Sequence, residues 1–350
     1  MKKFILFIAI GFIAALQNSC QNEELLNPEE SIEIIDKQNS YSKEYFLVAN
    51  RGSGTISVFD AKTTRFIRNI KLPDSNAEPT YLAHSKTHNR LYVGDFANKK
   101  ILYFNAKNFR LKGEIKIKKG ALHMALNKQA NQLWVNNIIS KKTTIIDLNS
   151  NSVIKNIKLP FDKIKRLTTN AVQHDITINP VGKKAYISIL DGLNKSYIVA
   201  YDTKTFKYID HKVVGGGARL LSVKSKLYVS SKEDNKLSVF RNQNLNLISN
   251  IPFKSAHGIA SSDDYIFTTG IKNNKLAVID RKNNRIISRK NTAYGRPHNL
   301  AVNSNGNRLF VSHSDPNATQ VVFYKVKRNG TLQKISQYDS GLNPYGVLYY

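Results

Sequence analysis

One cysteine, one tryptophan, two methionines and nine prolines in 350 residues leave little room for several common chemistries. A lone Cys20 cannot build an intramolecular disulfide framework, a thiolate zinc cluster or an iron–sulfur site. Acid is scarce as well: 25 Asp plus Glu stand against 53 Lys plus Arg, a formal net charge of +28. Such a charge permits nucleic acid, anionic lipid or acidic polysaccharide as partners without requiring any of them. The 38 asparagines and the many isoleucines that accompany the lysines give a second source for it, the base composition of an AT-rich genome. Long apolar runs are missing too. The longest, Phe4–Leu16, would rise only about 20 Å as a helix, short of a bilayer core of about 30 Å. No Gly-x-Ser-x-Gly elbow, metalloprotease His-Glu pair or phosphate loop occurs, and Gly215-Gly216-Gly217 is too isolated to cradle a nucleotide.

What is present begins with an address. Lys2 and Lys3 precede the apolar stretch, as in a secretory signal peptide. Its end, Leu16-Gln17-Asn18-Ser19-Cys20, resembles a bacterial lipobox, with Gln17 where that family usually has Leu. The resemblance implies cleavage after Ser19 and lipidation of Cys20; a plain secretory signal that leaves a free thiol is the alternative. Gln21-Asn22-Glu23-Glu24, followed by Glu29, Glu30 and Glu33, resembles the acidic tag that exports some lipoproteins to the outer face of the outer membrane, and it reads physically as a hydrophilic spacer. The expected organisation is therefore a leader over 1–19, a tether over 20–43 and one domain over 44–350. The expected location is the outer membrane, lipid-anchored and surface-exposed, with the periplasmic face as the alternative.

The remaining chain repeats. Strand signals recur at Phe46-Leu47-Val48, Leu91-Tyr92-Val93, Leu133-Trp134-Val135, Ala185-Tyr186-Ile187, Leu227-Tyr228-Val229, Tyr265-Ile266-Phe267 and Leu309-Phe310-Val311, at spacings of 45, 42, 52, 42, 38 and 44 residues. Each is followed by a second strand and a third, and preceded by a further alternating stretch. Four short strands per unit is the pattern of propeller blades. The C-terminal Tyr345–Tyr350 stretch supplies the strand that the N-terminal unit lacks, which predicts an all-β, seven-bladed propeller of four-stranded antiparallel blades closed by pairing of the chain ends. The long interval predicts an insertion near Phe161–Gln173. Segments such as LYVGDFANKKILYFNAKNFRLKGEIKI and RPHNLAVNSNGNRLFVSHSDPN resemble YVTN-type propellers, a likeness that speaks for fold and not for function.

The residue just before each innermost strand gives one position per blade: Tyr345, Thr80, His123, His174, Arg219, His257 and His298. Loops on the same face add Asp95 and His313, along with Asn50, Asn137, Asp191 and Ser231. A polar funnel mouth of this kind suits a ligand. Three readings compete: histidines that merely satisfy turns; an anion site anchored on Arg219, in which the imidazoles titrate near 6.5; and a transition metal such as copper on His123, His174, His257 and His298. The copper reading draws on the histidine-lined propeller of nitrous oxide reductase, whose companion domain and cysteine ligands this chain lacks. The virginiamycin B lyase family, also a propeller with funnel His and acidic residues, implies general-base work by His257 or His298 with Asp95. With no catalytic pairing legible, the sequence favours a binding or interaction module with no cofactor required; the alternative is a metal-binding or His-dependent, lyase- or hydrolase-like enzyme at the same histidine ring. Its ligand or protein partner would be extracellular or periplasmic; nucleic acid is disfavoured by the surface address. Arg219, expected to be partly solvated, would be cheap to remove.

Overall fold

The computed structural model describes residues 43–350, so the leader, Cys20 and nearly all of the tether lie outside the described residues. Seven four-stranded antiparallel sheets follow one another along the chain. Blades 2 to 7 open on inner strands Pro79–Ser85, Ala121–Asn127, Val172–Ile178, Ala218–Val223, Ala256–Ser261 and Pro297–Val302. Blade 1 is shared between the chain ends: Pro344–Tyr349 pairs with Tyr45–Asn50, matching Phe46 with Tyr349 and Val48 with Val347. Tyr45 N–H donates to the Tyr350 carbonyl at 2.6 Å, and Tyr350 N–H donates in return to the Tyr45 carbonyl at 3.1 Å. The seven-bladed, end-closed propeller read from the sequence is the observed fold.

Period-two alternation explains why the blades hold each other. In blade 2, Leu91 and Val93 pack toward blade 1 beside Leu47 and Val58, while the intervening Tyr92 packs toward blade 3 beside Leu133 and Val135. Successive side chains leave opposite faces of a strand, so every central strand feeds two inter-blade cores. The seam that closes the ring is aromatic: Phe46 and Phe59 of blade 1 meet Phe310 and Phe323 of blade 7, with the last two stacked at 4.5 Å. Outermost strands are mostly exposed, Phe66–Lys71 burying only Ile70.

The asparagine excess has a structural use as well as a compositional origin. Seven of the sixteen non-glycine residues at positive φ are Asn, among them Asn89, Asn131, Asn235 and Asn284, all in tight turns that a β-branched residue would strain. The insertion before blade 4 spans residues 159–171. Ile164 and Leu167 bury into the blade 3–4 core, and Thr168 donates its N–H to Asp191 at 3.3 Å.

Candidate functional site

Inner strands converge on the channel, and six of the seven carry a β-bulge. The ladder skips between Pro79 and Leu82, Ala121 and Met124, Gln173 and Ile176, Ala256 and Ile259, and Pro297 and Leu300, and in blade 1 opposite Val48–Asn50. Blade 5 pairs regularly. A bulge sets two residues against one and re-aims a side chain. The first bulge residues are Thr80, Leu122, His174, His257, His298 and Tyr345; the second are Tyr81, His123, Asp175, Gly258, Asn299 and Gly346. His123 therefore sits one residue later than the other ring histidines, and the single register expected for all seven positions is corrected here. The miss hid Tyr81, Asp175 and Asn299.

Bulging frees backbone groups, and hydroxyls or amides satisfy them from blade to blade. Ser230, Thr269 and Ser312 donate to the carbonyls of His257, His298 and Tyr345 at 2.6, 3.1 and 3.0 Å. Asn136 donates to that of His174 at 3.1 Å. Each of these donors stands on the second strand of the preceding blade, so the mouth is stitched around its circumference.

Asp175 is the hub. Its Oδ1 accepts from His123 Nδ1 at 2.8 Å and from Ile176 N–H at 2.8 Å; its Oδ2 accepts from Arg219 Nε at 3.1 Å and from Leu220 N–H at 2.9 Å. Arg219 extends the network, donating through Nη2 to Asn299 Oδ1 at 2.6 Å and through Nη1 to His257 Nε2 at 3.3 Å. Asn299 Nδ2 reaches His298 Nδ1 at 2.7 Å and the Tyr345 carbonyl at 2.8 Å. Tyr81 lies over His123 with ring centroids 3.8 Å apart. The residues are sheltered: Asp175 is 7%, Arg219 6% and His123 3% exposed.

Hydrogen-bond donors assign the tautomers. Ionised Asp175 only accepts, so His123 carries its proton on Nδ1 and keeps a bare Nε2, which is buried with no hydrogen-bond partner. Arg219 only donates, so His257 Nε2 accepts and its partnerless Nδ1 carries a proton. Burial pushes the Asp175 carboxyl up, but His123 and Arg219 outweigh it and hold the group well below the usual carboxylate range. Burial lowers His123 to about 4, against the pull of Asp175. His174, His257 and His298 are also pushed well below 6.5, by burial first and then by neighbouring Arg219 and imidazoles. Burial thus favours the neutral form of the ring at pH 7, and the expectation of imidazoles titrating near 6.5 is corrected downward.

The structure brings together His123, His174, Arg219, His257, His298 and Tyr345. It sets three expected residues apart. Thr80 donates to the carbonyl of Ala121 at 2.9 Å. Asp95 accepts from Glu78 N–H at 3.1 Å and Asn98 Nδ2 at 2.9 Å, bracing its own turn. His313 Nδ1 meets the Gly295 carbonyl at 2.9 Å, and burial lowers this imidazole to about 4. The four ring histidines form two pairs, His123–His174 at 4.8 Å and His257–His298 at 4.9 Å between centroids. Arg219 bridges the pairs as a cation, and among the described residues no group of three or more His, Cys, Asp or Glu is placed to hold a metal. A copper-type centre does not fit this donor set.

No family model matches the chain, and no curated protein matches it. Solved structures do. The periplasmic gluconolactonase of Pseudomonas aeruginosa superposes with a TM-score of 0.70 at 13% identity, over 88% of this chain and 99% of that one. A candidate 6-phosphogluconolactonase from Bacteroides fragilis gives 0.70 at 16%, over 89% and 99%. Another from Bacteroides uniformis gives 0.69 at 15%, over 88% and 99%. At such identities the likeness itself establishes the propeller fold. The expectation that favoured a binding module over an enzyme is nonetheless corrected, toward its hydrolase-like alternative. Three whole-length neighbours carry lactonase names, and the mouth holds a carboxylate-oriented imidazole beside a guanidinium, a pairing that the sequence did not reveal.

Proposed function

We propose that this propeller is a hydrolase that opens the ring of a sugar lactone at the channel mouth. The observation that carries the reading is the His123–Asp175–Arg219 constellation. Asp175 fixes the His123 tautomer so that Nε2 offers a lone pair to a water molecule. That water attacks the lactone carbonyl, its proton passing to Nε2. Negative charge grows on the carbonyl oxygen, where the remaining N–H groups of Arg219 and the Nδ1–H of His257 are the available donors. The ring C–O bond then breaks, and the His123 proton goes to the departing alkoxide. A sheltered site strengthens each of these interactions relative to water. The names of the neighbouring structures support the substrate class. The test is proton release from glucono-δ-lactone and its 6-phosphate by the purified full chain, corrected for spontaneous opening. His123→Asn should lower kcat by roughly 10²–10⁴-fold. Wild-type rates no faster than background on both lactones, or a fully active His123→Asn enzyme, would remove the proposal.

The proposed setting is a YVTN-type propeller carried on a lipid-anchored outer-membrane protein, resting on the Ser19-Cys20 lipobox and the acidic spacer behind it. More than one acyl chain makes such anchoring stable. Cys20→Ser should release the protein as a soluble species; persistence of that variant in the membrane fraction would contradict the address.

A further inference from the structure

A second site lies away from the histidine ring. On the mouth face, between blades 5 and 6, an open cleft of about 720 Å³ is walled by the Pro252-Phe253-Lys254 segment on one side and by Asn273, Lys275 and Arg289 on the other, with Asn235 at its end. Three cations from three separate segments converge there, and no carboxylate lines the cleft. The nearby acids are already matched: Glu233 pairs with Lys232 and Lys272 at 3.1 and 2.9 Å, and Asp234 with Lys236 at 3.1 Å. Among the described residues Lys254, Lys275 and Arg289 have no ion pair, so no carboxylate compensates their charge at the cleft.

The remaining lining narrows the ligand. Asn235 is held in place, its Oδ1 accepting the Ser255 N–H at 2.9 Å. The Asn273 Oδ1 is buried against Gly270, where any Cβ would stand 1.9 Å from it, which leaves the Nδ2 group of that amide to donate to a ligand hydroxyl. Pro252 offers an exposed aliphatic face, whereas Phe253 is 5% exposed and has no ring face free for stacking. Nucleic-acid strands rely on aromatic platforms, so a base-bearing ligand is disfavoured. The volume falls in the range of small-ligand sites and exceeds what one inorganic anion fills.

We propose that this cleft binds an acidic saccharide, its carboxylate or sulfate groups meeting Lys254, Lys275 and Arg289 and its hydroxyls meeting Asn235 and Asn273. The site is independent of the lactone reading. The experiment titrates the full chain by calorimetry with a galacturonate trimer, a sulfated disaccharide, the neutral galactose trimer, inorganic phosphate and a twelve-nucleotide single-stranded DNA. The triple variant Lys254→Ala/Lys275→Ala/Arg289→Ala is compared with a charge-matched control on the opposite face, Lys62→Ala/Arg65→Ala/Lys107→Ala, both checked for unchanged Tm. The expected result is binding of at least one acidic sugar and not the neutral one, weakened tenfold or more in the cleft variant and less than twofold in the control. Whichever acidic sugar binds identifies carboxylate or sulfate as the recognised group. Equal loss in both variants would reduce the effect to net charge and overturn the proposal. So would DNA or phosphate binding at least as tightly as either sugar, or no acidic sugar binding at all.

Discussion

Arg219 offers the sharpest test of the site's physics. It was expected to be partly solvated and inexpensive to delete, but it is 6% exposed and donates to Asp175, His257 and Asn299 together. Arg219→Ala would leave the Asp175 carboxylate buried with only His123 and two backbone N–H groups. Removing one partner of a buried ion pair costs about 3–5 kcal/mol. For a domain of this size each kcal/mol shifts Tm by roughly 2–4 °C, so the expected fall is about 6–20 °C. Asp175→Asn strands the guanidinium and should cost a comparable amount. The double variant Asp175→Asn/Arg219→Met removes both charges, and should be less damaging than the sum of the singles by about 1–3 kcal/mol. Urea titration of the four proteins measures this coupling. A cost below about 1 kcal/mol for Arg219→Ala, or strict additivity in the double variant, would show that the hub is not a coupled buried network.

Other outcomes follow from the same geometry. The ring histidines have folded pKa values below the unfolded 6.5, so the unfolded chain binds protons first as pH falls; stability present above pH 6.5 should be lost toward pH 4. His123 alone, lowered to about 4, accounts for roughly 3 kcal/mol of that loss, and a flat Tm between pH 7 and 4 would contradict its burial. Gly258 and Gly346 hold second bulge positions where a Cβ would stand 2.1 Å from the His298 carbonyl and 2.3 Å from the Thr80 carbonyl. Either glycine replaced by Ala should destabilise by about 1–3 kcal/mol in thermal melts, and neutral substitutions would mean that the inner strands can separate. Deleting Tyr345–Tyr350 removes the inner strand of blade 1 and exposes the Tyr45–Asn50 edge, so light scattering should report aggregation; an unchanged Tm would refute the closure.

The repeat was legible because it is written in period two. Leu91-Tyr92-Val93 and its six counterparts each feed two cores, so apolar residues must recur at those positions whatever the ligand, and the shared blade followed from the unpaired Tyr345–Tyr350 stretch. The site was less legible for a reason that lies in the backbone. A bulge changes which residue faces the channel without changing composition, and blade 3 places Leu122 where blades 4 and 6 place His174 and His257. Counting back from the next strand therefore set Thr80 beside His123, and passed over Tyr81 and Asp175.

The same bulges explain why the His123–Asp175 pairing was invisible in the chain and clear in the fold. His123 and Asp175 stand 52 residues apart, and no spacing rule connects them. They meet at 2.8 Å because both occupy the second bulge position of adjacent blades, and Arg219 joins them from the one inner strand that pairs regularly. That regular pairing places Arg219 and Leu220 so that the side-chain Nε of the first and the backbone N–H of the second share one carboxylate oxygen. An ionised Asp175 then determines which nitrogen of His123 is left free. The chemistry of the mouth is thus a consequence of where six ladders skip a residue and one does not.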